Sequence, residues 1–131
     1  MSKSVLVIED NEQNLYLVTF LLENSGYTVV AARDGREGID VAGRIMPDLI
    51  LLDIQLPGMD GYAVARALRN NATLAHVPIV AVTSYAMVGD RERALAAGCT
   101  GYIEKPINPD TFMTDVGSFL TPRTGRKGSA E

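Results

Sequence analysis

A second cysteine is missing, so Cys99 can form no internal disulfide, which suits a reducing compartment. Histidine is nearly missing too: His76 stands alone, with no His or Cys neighbour to share a metal ion, and reads as an ordinary linker residue. The chain lacks clustered lysine and arginine. Its 12 basic and 16 acidic residues leave a net charge of -4, which argues against a surface for nucleic-acid phosphates. No apolar run approaches the roughly 18 residues of a membrane span, and the opening MSKSVLVIEDNEQ is broken by acids too early for a signal peptide. A Gly-rich phosphate loop is absent after the first apolar run. EDNEQN stands there instead, and its acids would repel a bare dinucleotide. The expectation is a soluble cytoplasmic protein with no nucleic-acid partner and no membrane contact.

What is present is a globular pattern. The 131 residues are 47% apolar, enough for one domain that buries roughly two-thirds of its unfolded surface. Short β-rich apolar runs at Val5 to Ile8, Thr28 to Ala32, Leu49 to Leu52, Ile79 to Val82 and Gly101 to Ile103 predict five strands. Between them, Glu12 to Ser25 places Leu15, Val18 and Leu22 at helical spacing and stops at Gly26. Asp34 to Glu37 resembles a capping box for a second helix that ends before Pro47. A third helix is predicted from about Gly61 to Arg69, a fourth from about Gly89 to Ala97, and a fifth from Asn108-Pro109. The tail TPRTGRKGSAE mixes Pro, Gly, Ser and basic residues. It divides the chain into a domain over residues 1–120 and a flexible tail over 121–131.

Strict βα alternation with continuous apolar strands predicts a doubly wound α/β fold: a five-stranded parallel sheet in the flavodoxin-like order 2-1-3-4-5. Ligands in such sheets bind outside the carboxyl ends of the strands, where strands 1 and 3 diverge. Glu9-Asp10 and Asp53 occupy those two ends. In the stretch DLILLDIQLPGMDG, Asp53 follows four apolar residues, and burying a lone carboxylate costs several kcal/mol unless something pairs with it. Three converging carboxylates repel one another unless a cation joins them, and hard oxygen ligands in a small site favour Mg²⁺. Thr83 and Lys105, at the ends of strands 4 and 5, add a hydroxyl and an ammonium suited to the oxygens of an anion. A carboxylate nucleophile, a metal, a hydroxyl and an ammonium are the parts of a phosphoryl-transfer site.

Glu9-Asp10, Asp53 within LLDIQLPGMDG, Thr83 within AVTSYA, and Tyr102 with Lys105-Pro106 in GYIEKPI together resemble the receiver domain of two-component response regulators, over Ser4 to about Leu120. EDNEQN, DIQLPGMDG and AVTSYAM are most similar to stand-alone receivers of the DivK cell-division type. The resemblance implies that Asp53 takes a phosphoryl group from a sensor histidine kinase or histidine phosphotransfer protein. It further implies that Asp10, Glu9 partly through water, Asp53 and the Gln55 backbone carbonyl hold Mg²⁺. Thr83 and Lys105 would bind phosphoryl oxygens, Tyr102 would switch, and Lys105-Pro106 would be a cis peptide. Such a protein is a phosphoacceptor that signals to a downstream protein target by a conformational switch, not a turnover enzyme. By the same resemblance, the face of the fourth helix, fifth strand and fifth helix would carry the output.

Each residue alone has a plainer role: Glu9-Asp10 as helix N-terminal acids, Asp53 as a loop carboxylate, Thr83 as a strand residue, Tyr102 as cover for the sheet edge. Their joint placement at four strand ends favours function. Two other classes compete. A phosphatase of the haloacid dehalogenase type also forms an aspartyl phosphate, but it wants an acid two residues after the nucleophile, where this chain has Gln55. A receiver-like binding module that works without phosphorylation has no need of the full set Asp10, Asp53, Thr83 and Lys105.

Overall fold

A computed structural model describes residues 3–84 and 89–120. The expected tail over 121–131, and Tyr85 to Val88, which include the end of the AVTSYAM stretch, lie outside the described residues. Five strands, β1 (Ser4–Ile8), β2 (Thr28–Ala32), β3 (Leu49–Asp53), β4 (Ile79–Thr83) and β5 (Gly101–Glu104), form one sheet in the order β2-β1-β3-β4-β5. Every pairing is parallel. The helices are α1 (Glu12–Asn24), α2 (Gly35–Ile45), α3 (Gly61–Arg69), α4 (Asp90–Ala96) and α5 (Pro109–Leu120). This is the doubly wound order that the βα alternation predicts.

Local chemistry sets the helix starts. The Asn11 side chain accepts from Asn14 N, Asp34 from Glu37 N, and Asp60 from Tyr62 N, each satisfying an amide that has no partner within its helix. Gly26, just past α1, takes φ +95, a conformation open to glycine at little cost. Strands β1, β3, β4 and β5 each extend one residue beyond their apolar runs, to Ser4, Asp53, Thr83 and Glu104. Hydropathy ends where polar side chains begin, but the backbone ladder continues, pairing Asp53 with Val82 and Thr83 with Glu104. A 3-10 turn at Ala72–Leu74 is too short to leave any periodic signal in the sequence, yet it buries Leu74 completely.

The alternation of strand side chains divides the interior into two layers. Val5, Val7, Leu49, Leu51, Val80, Val82 and Ile103 pack with Leu15, Val18 and Leu22 of α1 and with Phe112 and Val116 of α5. Leu6, Ile8, Ile50, Leu52, Ile79 and Ala81 face the opposite way, onto residues of α2, α3 and α4 such as Val41, Leu68 and Ala94. No helix among the described residues is long and apolar enough to cross a membrane.

Candidate phosphoryl and metal site

The acids follow from the pleat. Continuing the alternation of Val5 and Val7, of Leu49 and Leu51, and of Ile103 brings Glu9, Asp53 and Lys105 to the α1/α5 side of the sheet at its carboxyl end. Ligand oxygens of Glu9, Asp10 and Asp53 lie within 4.8 Å of one another, with Glu9 and Asp53 buried and Asp10 exposed. Lys105 Nζ stands 3.2 Å from Glu9 Oε1 and 3.3 Å from Asp53 Oδ2, and its side chain is only 10% exposed. Its backbone is fixed as well, since Lys105 N donates to Thr83 O at 2.7 Å, and the Lys105–Pro106 bond is cis. The apparent anomaly of an aspartate ending a buried strand thus resolves into a paired carboxylate.

The charges remain unbalanced. Three carboxylates meet one ammonium over a floor that includes Val7, Val18, Leu51 and Phe112. Burial, reinforced by a hydrogen bond with Asp53 and by its charge, pushes Glu9 from 4.5 up to about 7, against the opposing pull of the Asn11 amide and of Lys105. A carboxyl that holds its proton near neutrality beside two further acids has the donor set and charge excess that suit a divalent cation. The residues present therefore fit Mg²⁺, with Glu9, Asp10 and Asp53 as oxygen donors.

Gln55 joins the site in a manner the sequence did not reveal. Its backbone N donates to Asp53 Oδ1 at 2.9 Å. Its side-chain Nε2 donates to Thr83 Oγ1 at 2.8 Å, while its side-chain oxygen accepts from Ser84 N at 3.2 Å. The signal was latent in the strand order: β3 and β4 are neighbours with Asp53 opposite Val82, so the residues just past their ends must meet. Thr83 is 2% exposed and continues the Ile79, Ala81 alternation, which faces away from the acids. Tyr102 stands outside the acid cluster, opposite Ala81 on β5 and packed at the margin of the α2/α3/α4 layer.

The remaining sequence candidates are inert here. His76 is exposed, far along the chain from the acids. Cys99 is buried, and burial pushes its thiol up to about 11, which suppresses the nucleophilic thiolate.

Comparison with known proteins places the chain in a family. The family model described as "Response regulator receiver domain" matches residues 5–117. The polar-differentiation response regulators DivK of Brucella ovis and Brucella abortus are each 46% identical over 120 residues, covering 92% of this chain and 98% of theirs. Among solved structures, the chemotaxis protein CheY4 of Vibrio cholerae superposes with a TM-score of 0.88 at 29% identity, covering 92% of this chain and 100% of that one. A sensor histidine kinase receiver domain from Pseudomonas aeruginosa, solved with a magnesium ion coordinated in its active site cleft, gives 0.84 at 33% identity, covering 92% and 98%.

Proposed function

The chain belongs to the response regulator receiver family, and from that premise we propose that Asp53 is its phosphoacceptor. A carboxylate oxygen of Asp53 attacks the phosphorus of a phosphohistidine on a sensor kinase or phosphotransfer protein. An O–P bond forms, the N–P bond breaks, and the imidazole leaves with the electron pair. Mg²⁺, when bound, neutralises charge on the transferring group and helps align it. Asp10, Asp53, the Gln55 carbonyl and Glu9, the last partly through water, would hold it.

Lys105 lies beside Asp53 Oδ2 and would meet the phosphoryl oxygens as they arrive. Thr83 would turn its hydroxyl from Gln55 towards the new anion, and Tyr102 would move with it, giving a protein target a different surface on the α4, β5 and α5 face. The protein so read is a signalling switch built on this receiver domain. The observation that carries the proposal is the buried Asp53, 3.3 Å from Lys105 and within 4.8 Å of two further acids.

Acetyl phosphate with Mg²⁺ is the test. Labelling that saturates at a single phosphoryl group per chain, and is lost in Asp53→Asn, is expected. Sustained phosphate release would instead point to a phosphatase, and no labelling to a module that works without phosphorylation.

A further inference from the structure

Helix α4 is the weakest-founded helix of the described fold. It has seven residues, too few to be stable alone, and its N-cap Gly89 offers no side-chain hydrogen bond. Its inward residues include Ala94, a small contributor to the core. Its position must therefore depend on tertiary contacts, and one set stands out. The Arg93 guanidinium lies 4.7 Å above the ring of Tyr62 on α3, and Arg93 Nη1 is 3.4 Å from Asp90 Oδ1.

Tyr62 is a firm base for that contact. It is 7% exposed, its backbone N is held by Asp60, and it follows Gly61, which sits against the backbone of Ile54. Asp90 is 8% exposed, and its charge raises the phenols of both Tyr62 and Tyr102, in each case second to burial. The same carboxylate thus lies within electrostatic reach of both rings. Between α3 and α4 lies a recess of about 270 Å³ whose lining includes Gln55, Tyr62, Thr83, Asp90 and Arg93. Thr83 and the α3–α4 contact share one space.

We propose that Arg93, Asp90 and Tyr62 form a latch between α3 and α4 that favours the unphosphorylated conformation and opens when Thr83 moves towards a phosphoryl group on Asp53. The inference rests on the phosphoacceptor reading above. A contact made in one state and lost in the other must oppose the ligand that selects the second state, by the same factor in both directions. Arg93 and Tyr62 therefore set how much of the binding energy of a phosphoryl group is spent on moving α4.

The test uses beryllofluoride with Mg²⁺ as the phosphoryl mimic and compares wild type, Arg93→Met, Tyr62→Leu and the double variant. Methionine keeps an apolar stem over the ring without the charge, and leucine keeps an apolar filling without the π face. Each single variant should bind beryllofluoride about two- to fivefold more tightly, the equilibrium equivalent of one cation–π contact at a partly exposed site. The double variant should gain no more than Arg93→Met alone, because the contact with Tyr62 is already lost with the guanidinium. Hydrogen exchange at α4 amides should also quicken in the free variants. Wild-type affinity in both single variants, even with lowered thermal stability, would overturn the latch and leave the phosphoacceptor reading standing. Failure of the wild type itself to bind beryllofluoride would overturn both.

Discussion

Glu9 concentrates the electrostatic argument at the scale of one residue. Its carboxyl is raised from 4.5 to about 7, so between those values the folded chain holds a proton that the unfolded chain has released. In Mg²⁺-free solution its contribution to stability is therefore fully present below 4.5 and is lost as the pH rises to about 7. Metal binding has the opposite trend, because a donor oxygen must first shed its proton. Mg²⁺ affinity should rise with pH up to about 7 and then level, with proton release below that value; calorimetry in buffers of different ionisation enthalpy measures both. Lys105 is the counterpart. Removing one partner of a buried ion pair leaves uncompensated charge, so Lys105→Ala should cost about 3 kcal/mol without Mg²⁺. It should also drive Glu9 higher still, since Lys105 now lowers it. Urea unfolding with and without Mg²⁺ checks the first, and carboxyl NMR titration the second.

The elements explain why these side chains meet. A Cβ on Gly61 would lie 2.5 Å from the Ile54 Cα, a backbone atom that cannot swing aside, so α3 can start there only with glycine. Gly61→Ala should cost about 1–3 kcal/mol through this overpacking, read as a lowered urea midpoint at unchanged slope. At the end of β4, Thr83→Val keeps the shape but leaves the Gln55 amide without that acceptor, a loss of about 1 kcal/mol. The same variant should blunt the change at the Tyr102 ring on phosphorylation, as followed by its ring NMR signals.

Strand and helix positions were legible because apolar runs and caps such as Asp34 act locally. The last paired residue of β3 and of β4 was not, because Asp53 and Thr83 are polar side chains that continue the backbone ladder one position past the point where hydropathy stops. The side-chain role of Gln55 was hidden for a related reason: it depends on which strands are neighbours, not on its own surroundings in sequence.

Over the whole molecule, the parallel order β2-β1-β3-β4-β5 converts residues dispersed from Glu9 to Lys105 into one cluster at the carboxyl end of the sheet. That convergence could be read from strand-end positions once the topology was inferred, so the acids and Lys105 were legible together although none is informative alone. The Arg93 contact with Tyr62 was not, because it joins two helices on a layer whose packing no periodicity specifies. The central claim is that this cluster makes a single carboxylate the phosphoryl acceptor. Its most direct measurement is chemical trapping of the acyl phosphate: label with acetyl phosphate and Mg²⁺, reduce with borohydride, and locate the reduced residue by peptide mass spectrometry. Reduction at residue 53 alone is predicted; reduction at Glu9 or Asp10, or no trapped acyl phosphate at all, would contradict the account.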